Sequence, residues 1–251
     1  MDRKILQSAN VVGFIAVIAV NALASALPLN NVTTAELSDS YPNLFVPAGY
    51  VFSIWGVIYL LLLGFTIHQA RSAQRDSEFI NKLGWLFFLS CVFNSVWIFL
   101  WHWSLVLPSV LVMFCLLGTL ILIYLRLDIG RGTPGRDERL YVHLPFSVYL
   151  GWITVAPIAN VTALLVSWGW PSYGPAAVNW TMLVIAVAVA LSLANIWLRR
   201  DVGYNLVILW ALAGIAVKQW GVGLVPYAAL TGAAVIAVGL TWVKLLWRRG
   251  A

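Results

Sequence analysis

The chain has 251 residues, 62% of them hydrophobic and 10% charged, with a formal net charge of +6 and a mean hydropathy of +0.90. An ordinary soluble domain carries about 25% charged residues, so the composition excludes a soluble globular protein and points to an integral membrane protein. The apolar runs are continuous and long enough for helices that cross the hydrocarbon core, which takes about 20 residues. This excludes a transmembrane barrel of alternating segments of about ten residues.

Eight runs are predicted to span, at 8–27, 46–69, 83–102, 104–125, 140–167, 176–198, 203–218 and 222–247, the seventh being short. The predicted fold class is therefore all-α, a polytopic integral membrane helix bundle of about eight transmembrane helices. The first run has a second reading. Asp2-Arg3-Lys4, the apolar stretch from Val11 to Val20 and the small residues from Ala22 to Ala26 are also the parts of a secretory signal peptide. The hydrophilic segment 28–45 is too long for a tight turn and is expected to fold over the helix ends as a lid. Cys91 and Cys115 fall inside predicted helices and read as small buried residues.

Charge placement tests the helix count independently, because Lys and Arg are retained on the cytoplasmic side of short loops. With both termini placed in the cytoplasm, Arg3 and Lys4, then Arg71, Arg75 and Lys82, then Arg126, Arg131, Arg136 and Arg139, then Arg199 and Arg200, and finally Lys244, Arg248 and Arg249 all fall inside. Only Lys218 of the fifteen basic residues is predicted outside. The positive charge is thus explained by topology and anionic inner-leaflet lipid, with no nucleic-acid partner. In the last run, Ala228/Gly232 and Ala229/Ala233/Ala237 repeat at four-residue spacing, which favours close helix packing.

Three stretches carry unusual aromatic and polar patterns. In "PAGYVFSIWGVIYLLL", Trp55 and Tyr59 share one helical face. They lie deeper than Tyr50 and Phe52, which read as members of an interfacial belt. A buried indole N–H or phenol needs a partner, so a polar-lined cavity and interfacial anchoring are the two readings of that face. In "CVFNSVWIFLWHW", Asn94 near mid-membrane faces the bundle interior, as ligand contact or as interhelical bond. Trp97 follows one turn later, and Trp101, His102 and Trp103 read as belt residues. In "YLGWITVAPIAN", Tyr149 precedes a stripe of Trp152, Ala156 and Asn160 at four-residue spacing, beside a kink expected at Pro157. No acidic residue falls in mid-helix, and His68, His102 and His143 lack metal-ligand spacing, so no catalytic or metal site is expected and no cofactor is required.

Taken together, these stretches resemble the TspO/MBR family, the translocator protein or tryptophan-rich sensory protein group. Pro47, Tyr50, Trp55, Gly56 and Tyr59 look like its helix-two pattern, Asn94 and Trp97 like its Asn-x-x-Trp. Tyr149, Trp152, Ala156 and Asn160 look like its helix-five pattern. The resemblance covers about 8–168, a five-helix unit, and leaves 169–251 as a three-helix extension. It departs from the family in having Ile98 and Phe99 where prolines usually follow the helix-three Trp, and Val148 where a proline usually precedes the helix-five Tyr. The resemblance implies a pocket for a flat apolar ligand such as a tetrapyrrole (porphyrin), with sterols and isoquinoline-type drugs as further classes, and a homodimer whose surface the extra helices stand to cover. Trp55, Asn94, Trp97, Tyr149, Trp152 and Ala156 match its lining positions, and Tyr59 and Asn160 join them from the helical faces. Three functional readings follow in order: a membrane receptor or sensor, a transporter of the same molecule, and a membrane enzyme modifying it.

Overall fold

The computed structural model describes residues 3–26 and 29–249. Leu27 and Pro28, which end the first predicted span and begin the lid segment, lie outside the described residues. Among the described residues eight long helices form the bundle: α1 Arg3–Ala26, α2 Ile54–Ala70, α3 Leu86–His102, α4 Val106–Arg126, α5 Leu144–Ser167, α6 Pro175–Arg199, α7 Val202–Lys218 and α8 Val225–Arg249. No strand occurs among the described residues. Among the described residues six of these are long and apolar enough to cross a membrane outright, α2 when continued back through the turn from Gly49, whereas α3 and α7 have 17 residues each. Large apolar side chains such as Leu60, Trp197 and Trp242 point outward, 70%, 76% and 61% exposed. Such a surface suits lipid and not water.

Helix ends deviate from the predicted runs where local chemistry intervenes. The run from residue 46 does not start as an α-helix. Its first turn, Gly49–Ser53, is 3-10, and the Ala48 N–H is drawn to the Gly214 carbonyl at 3.1 Å. Before α3, Gly84 takes φ 49°, a left-handed conformation that separates a short helix, Glu78–Leu83, from the membrane helix. A π turn, Arg139–His143, leads into α5. Between α6 and α7 the chain reverses in two residues. Arg200 at φ 56° closes α6 through its N–H, and the Asp201 carboxylate caps α7 by accepting the Tyr204 N–H.

The first five helices form a closed ring, in which α1 packs on α2 and α3, α3 on α4, α4 on α5, and α5 back on α2. Outside the ring, α7 lies along α5, and α8 covers α7 and α6. Glycine permits two of these approaches. At Gly151 a Cβ would meet the Tyr204 carbonyl at 2.7 Å, and at Gly214 it would run into Val51. On α8 the small-residue stripe packs over its first turns, with Ala229 fully buried and Gly232 facing Val189 and Leu212, whereas Ala237 is exposed. Segment 29–45 contributes the short helix Thr34–Asp39, which covers one end of the ring.

Candidate ligand pocket

Inside the end of the ring that the helix Thr34–Asp39 covers lies a cavity of about 60 Å3. Its aromatic walls come from α2 (Trp55), α3 (Trp97, Trp101), α5 (Trp152) and the 3-10 turn before α2 (Phe52). Trp55 is the hub of this cage. It stacks on Tyr59 at 5.5 Å and on Trp97 at 6.3 Å, and meets Trp152 and Tyr149 edge-on, both at 6.1 Å between ring centroids. Trp97 stacks on Trp101 at 6.2 Å, and Phe52 sets its edge against Trp152 at 5.9 Å. Rings held at these offsets stabilise one another beyond the area they bury. Ala156, Ala159 and Ala211 leave the space between them, and Thr34 and Ser38 of the short helix form the roof.

The helix-five stripe behaves as its spacing predicts: Trp152, Ala156 and Asn160 all line the cavity. Asn160 is a cross-link as well as a lining residue, accepting from Trp97 Nε1 at 2.9 Å and donating to Ser109 Oγ at 3.0 Å. Asn94 is fully buried behind the wall. It donates to the Tyr149 hydroxyl at 3.0 Å and accepts from Asn21 Nδ2 at 2.8 Å, tying α3 to α5 and α1. Asn94 and Tyr149 therefore support the cage from outside and do not line it. Tyr59 faces elsewhere, into a second cleft of about 430 Å3 between α1 and α2 that Ile18, Asn21 and Gly56 also line. Phe52, Trp55 and Thr34 border both spaces, so they form the partition between them.

Other positions correct the sequence reading. Phe52 and Trp101, expected in the interfacial belt, are pocket walls. His102, expected beside them, is 1% exposed and bridges to the roof: its two ring nitrogens lie 3.0 Å from the Leu29 carbonyl and 3.0 Å from the Thr34 hydroxyl. Trp103 and Tyr50 remain half-exposed at 51% and 49%, Tyr50 with its ring against Trp210. Trp101, His102 and Trp103 are consecutive in the chain, so sequence position alone does not separate a pocket wall from an exposed ring. Of the cysteines, Cys91 is buried but Cys115 faces outward. At the end of the bundle away from the roof helix, His68 stacks on Tyr141 at 5.1 Å and on Phe79 at 5.8 Å, while His143 Nε2 lies 3.6 Å from Glu138. Among the described residues no three His, Cys, Asp or Glu side chains converge as metal ligands would.

The contribution least visible in the sequence is that of α7. Ala211 and Ile215 form part of the pocket wall, Trp210 Nε1 donates to the Val51 carbonyl at 3.1 Å, and Lys218 pairs with Asp39 of the roof helix at 2.8 Å. The cation that broke the charge rule is thus held by an acid of the lid.

The family model described as TSPO-like protein matches residues 7–242. The match includes the last three helices and so runs well past residue 168. Neither the comparison with curated proteins nor that with solved structures gave a match.

Proposed function

The chain belongs to the TSPO-like protein family, and from that premise we propose that it is a multi-pass membrane receptor or sensor that holds a flat apolar ligand in the aromatic cage. One observation supports this most directly. Four tryptophans and Phe52 present ring faces to one cavity whose lining contains no carboxylate, imidazole, thiol or basic group. Stacking and dispersion on such walls select flat, apolar molecules, and nothing in the lining supplies acid–base or nucleophilic chemistry. A tetrapyrrole is the ligand class that the resemblance implies, and sterols are the next.

At about 60 Å3 the cavity is smaller than such a ligand, so binding on this reading lifts the roof helix. Residues 1–168 are the binding unit, and 169–251 are an extension that closes one wall through α7. Both termini are oriented to the cytoplasm, and a homodimer would form away from the α5 face that α7 covers. The test is a titration of the detergent-solubilised protein with protoporphyrin dimethyl ester, following tryptophan quenching. Saturable quenching that weakens in Trp152→Phe is expected, and unsaturable quenching in wild type would overturn the reading.

A second reading, transport, is favoured by the partition of Phe52, Trp55 and Thr34 between the cage and the α1–α2 cleft, which has the form of a gate. Proteoliposomes that take up the ligand no faster than empty vesicles would remove it.

A further inference from the structure

Ile18 borders the α1–α2 cleft and also a further cavity between the same two helices, nearer the end of the bundle away from the roof helix. This cavity measures about 530 Å3, and its walls are apolar apart from Thr66, with Phe14, Ile15 and Ile18 of α1 facing Leu63 and Ile67 of α2. Next to it lies a polar cavity of about 270 Å3, between Lys4, Gln7 and Ser8 of α1 and Arg75, which follows α2. Val11 and Ala70 line both, so the two spaces meet. The apolar part runs from Val11 to Ala19, about 12 Å along a helix. That depth fits within a single leaflet, half of a hydrocarbon core of about 30 Å.

The polar part carries positive charge without a carboxylate. Its lining holds Lys4 and Arg75 but no Asp or Glu. The acids close to Arg75 in the chain are engaged elsewhere, Asp76 with Arg3 and Glu78 with Lys82 at 2.9 Å. Arg75 Nε is buried with no hydrogen-bond partner. A guanidinium donor left unmet away from water carries a desolvation cost, and an anionic oxygen removes it through a charge-assisted bond. A cationic head space that opens onto an apolar slot of one leaflet's depth matches the order of groups in a phospholipid, phosphate first and acyl chain behind it. A free phosphate would use only the first part, and an uncharged lipid only the second.

We propose that the groove between α1 and α2 binds one anionic glycerophospholipid, its phosphate received by Arg75 and Lys4 and one acyl chain laid along Phe14, Ile18 and Leu63. The site is separate from the aromatic cage and stands whether or not the cage holds a ligand.

Native mass spectrometry of the full-length protein, delipidated in a non-ionic detergent, counts bound lipids one at a time. Titration with palmitoyl-oleoyl phosphatidylglycerol, which is anionic, and with the phosphatidylcholine of the same chains, which is zwitterionic, gives the two affinities. Wild type is expected to bind one phosphatidylglycerol roughly five- to thirtyfold more tightly than phosphatidylcholine, the contribution of one to two basic residues beside a charged headgroup. In Lys4→Gln/Arg75→Gln that ratio is expected to fall towards one. Arg136→Gln/Arg139→Gln removes the same charge from exposed positions outside the groove and is expected to keep the ratio. Ala70→Phe, at an exposed position where the two spaces meet, changes no charge and is expected to weaken phosphatidylglycerol roughly tenfold by displacing about two methylenes of the chain. Equal wild-type binding of the two lipids, a ratio kept in Lys4→Gln/Arg75→Gln, or an equal loss in both double variants would each overturn the proposal. So would full affinity in Ala70→Phe, or displacement of phosphatidylglycerol by an equal concentration of inorganic phosphate, since the acyl chain would then contribute nothing. The wild-type comparison needs no variant, and every substituted position is at least partly exposed, so loss of folding does not stand in for loss of binding.

Discussion

Asn160 connects three helices with one side chain, because its amide oxygen takes the Trp97 N–H on α3 while its amide nitrogen serves Ser109 on α4. In Asn160→Ala both partners lose their bonds inside a 4%-exposed site. The expected cost is about 1–3 kcal/mol, read as a lower midpoint of thermal unfolding in detergent. Removal of the Trp97 acceptor should also alter quenching by ligand, since Trp97 is itself a wall. That Asn160 faces inward was legible from its register with Trp152 and Ala156. Its partner was not, because Ser109 is an unremarkable serine until the fold sets it opposite.

The roof helix Thr34–Asp39 illustrates what a short element needs in order to persist. Six residues are too few to be stable alone, and this one is held at its start by a capping box. Thr33 Oγ1 accepts the Glu36 N–H at 3.2 Å, while the Thr33 N–H and hydroxyl both donate to the Glu36 carboxylate at 2.8 Å. These bonds, the backbone one foremost, hold the Glu36 carboxyl below the usual carboxylate range. A depressed folded-state value means that the stabilisation is fully present above the unfolded pKa of about 4.3 and is lost as pH falls through the lower folded value. Amide exchange in 34–39 is therefore expected to accelerate below about pH 4 in wild type, and to lose that pH dependence in Glu36→Gln, which keeps the box without a titrating group. Exchange that responds to acid equally in both would dispose of this account. At its other end the helix is pinned by the Lys218–Asp39 pair. With side chains 32% and 65% exposed, the pair is screened, so Lys218→Met should cost only about 0.2–1 kcal/mol. The clearest sign should be faster lid exchange and a weaker salt dependence of that exchange.

The ring of five helices and the three-helix extension are joined by two kinds of contact. At the end that the roof helix covers the joint is steric: Gly214 admits Val51 and Pro47, and Gly214→Ala is expected to push α7 from the turn before α2 at a cost of about 1–3 kcal/mol, with looser ligand binding because Ala211 and Ile215 move with it. At the opposite end the joint is polar. Asp201 accepts from the Tyr124 hydroxyl at 2.8 Å and the Ser147 hydroxyl at 2.5 Å, while Asn195 donates to Tyr124 at 2.9 Å and Asn205 to Asn195 at 2.9 Å. One carboxylate thereby links α4, α5 and the start of α7. Asp201→Ala removes the α7 cap and leaves two buried hydroxyls without acceptors, so a loss of about 3 kcal/mol is expected. Asp201→Asn, which keeps an acceptor, should lose less. Equal unfolding midpoints for the two variants would show that the network contributes little.

What could be read directly was the set of properties that depend on neighbours in the chain. The eight apolar runs, the all-helical class, the lid segment, the tryptophan stripes at four-residue spacing and the family resemblance need only local hydrophobicity and helical period. Asp201 went unremarked because a carboxylate just after a helix reads as an ordinary turn residue until Tyr124 and Ser147 are seen beside it. Phe52 and Trp101 were assigned to lipid because an aromatic at the membrane boundary has the same sequence signature whether it faces the bilayer or the bundle. The wall from α7 is of a different order. Trp210 and Val51 bond across 159 residues and Lys218 and Asp39 across 179, and no periodicity carries information over such separations. Glycines at 151 and 214 let α7 approach closely enough for those contacts. Close approach is a property of two surfaces, and only the folded bundle brings both together.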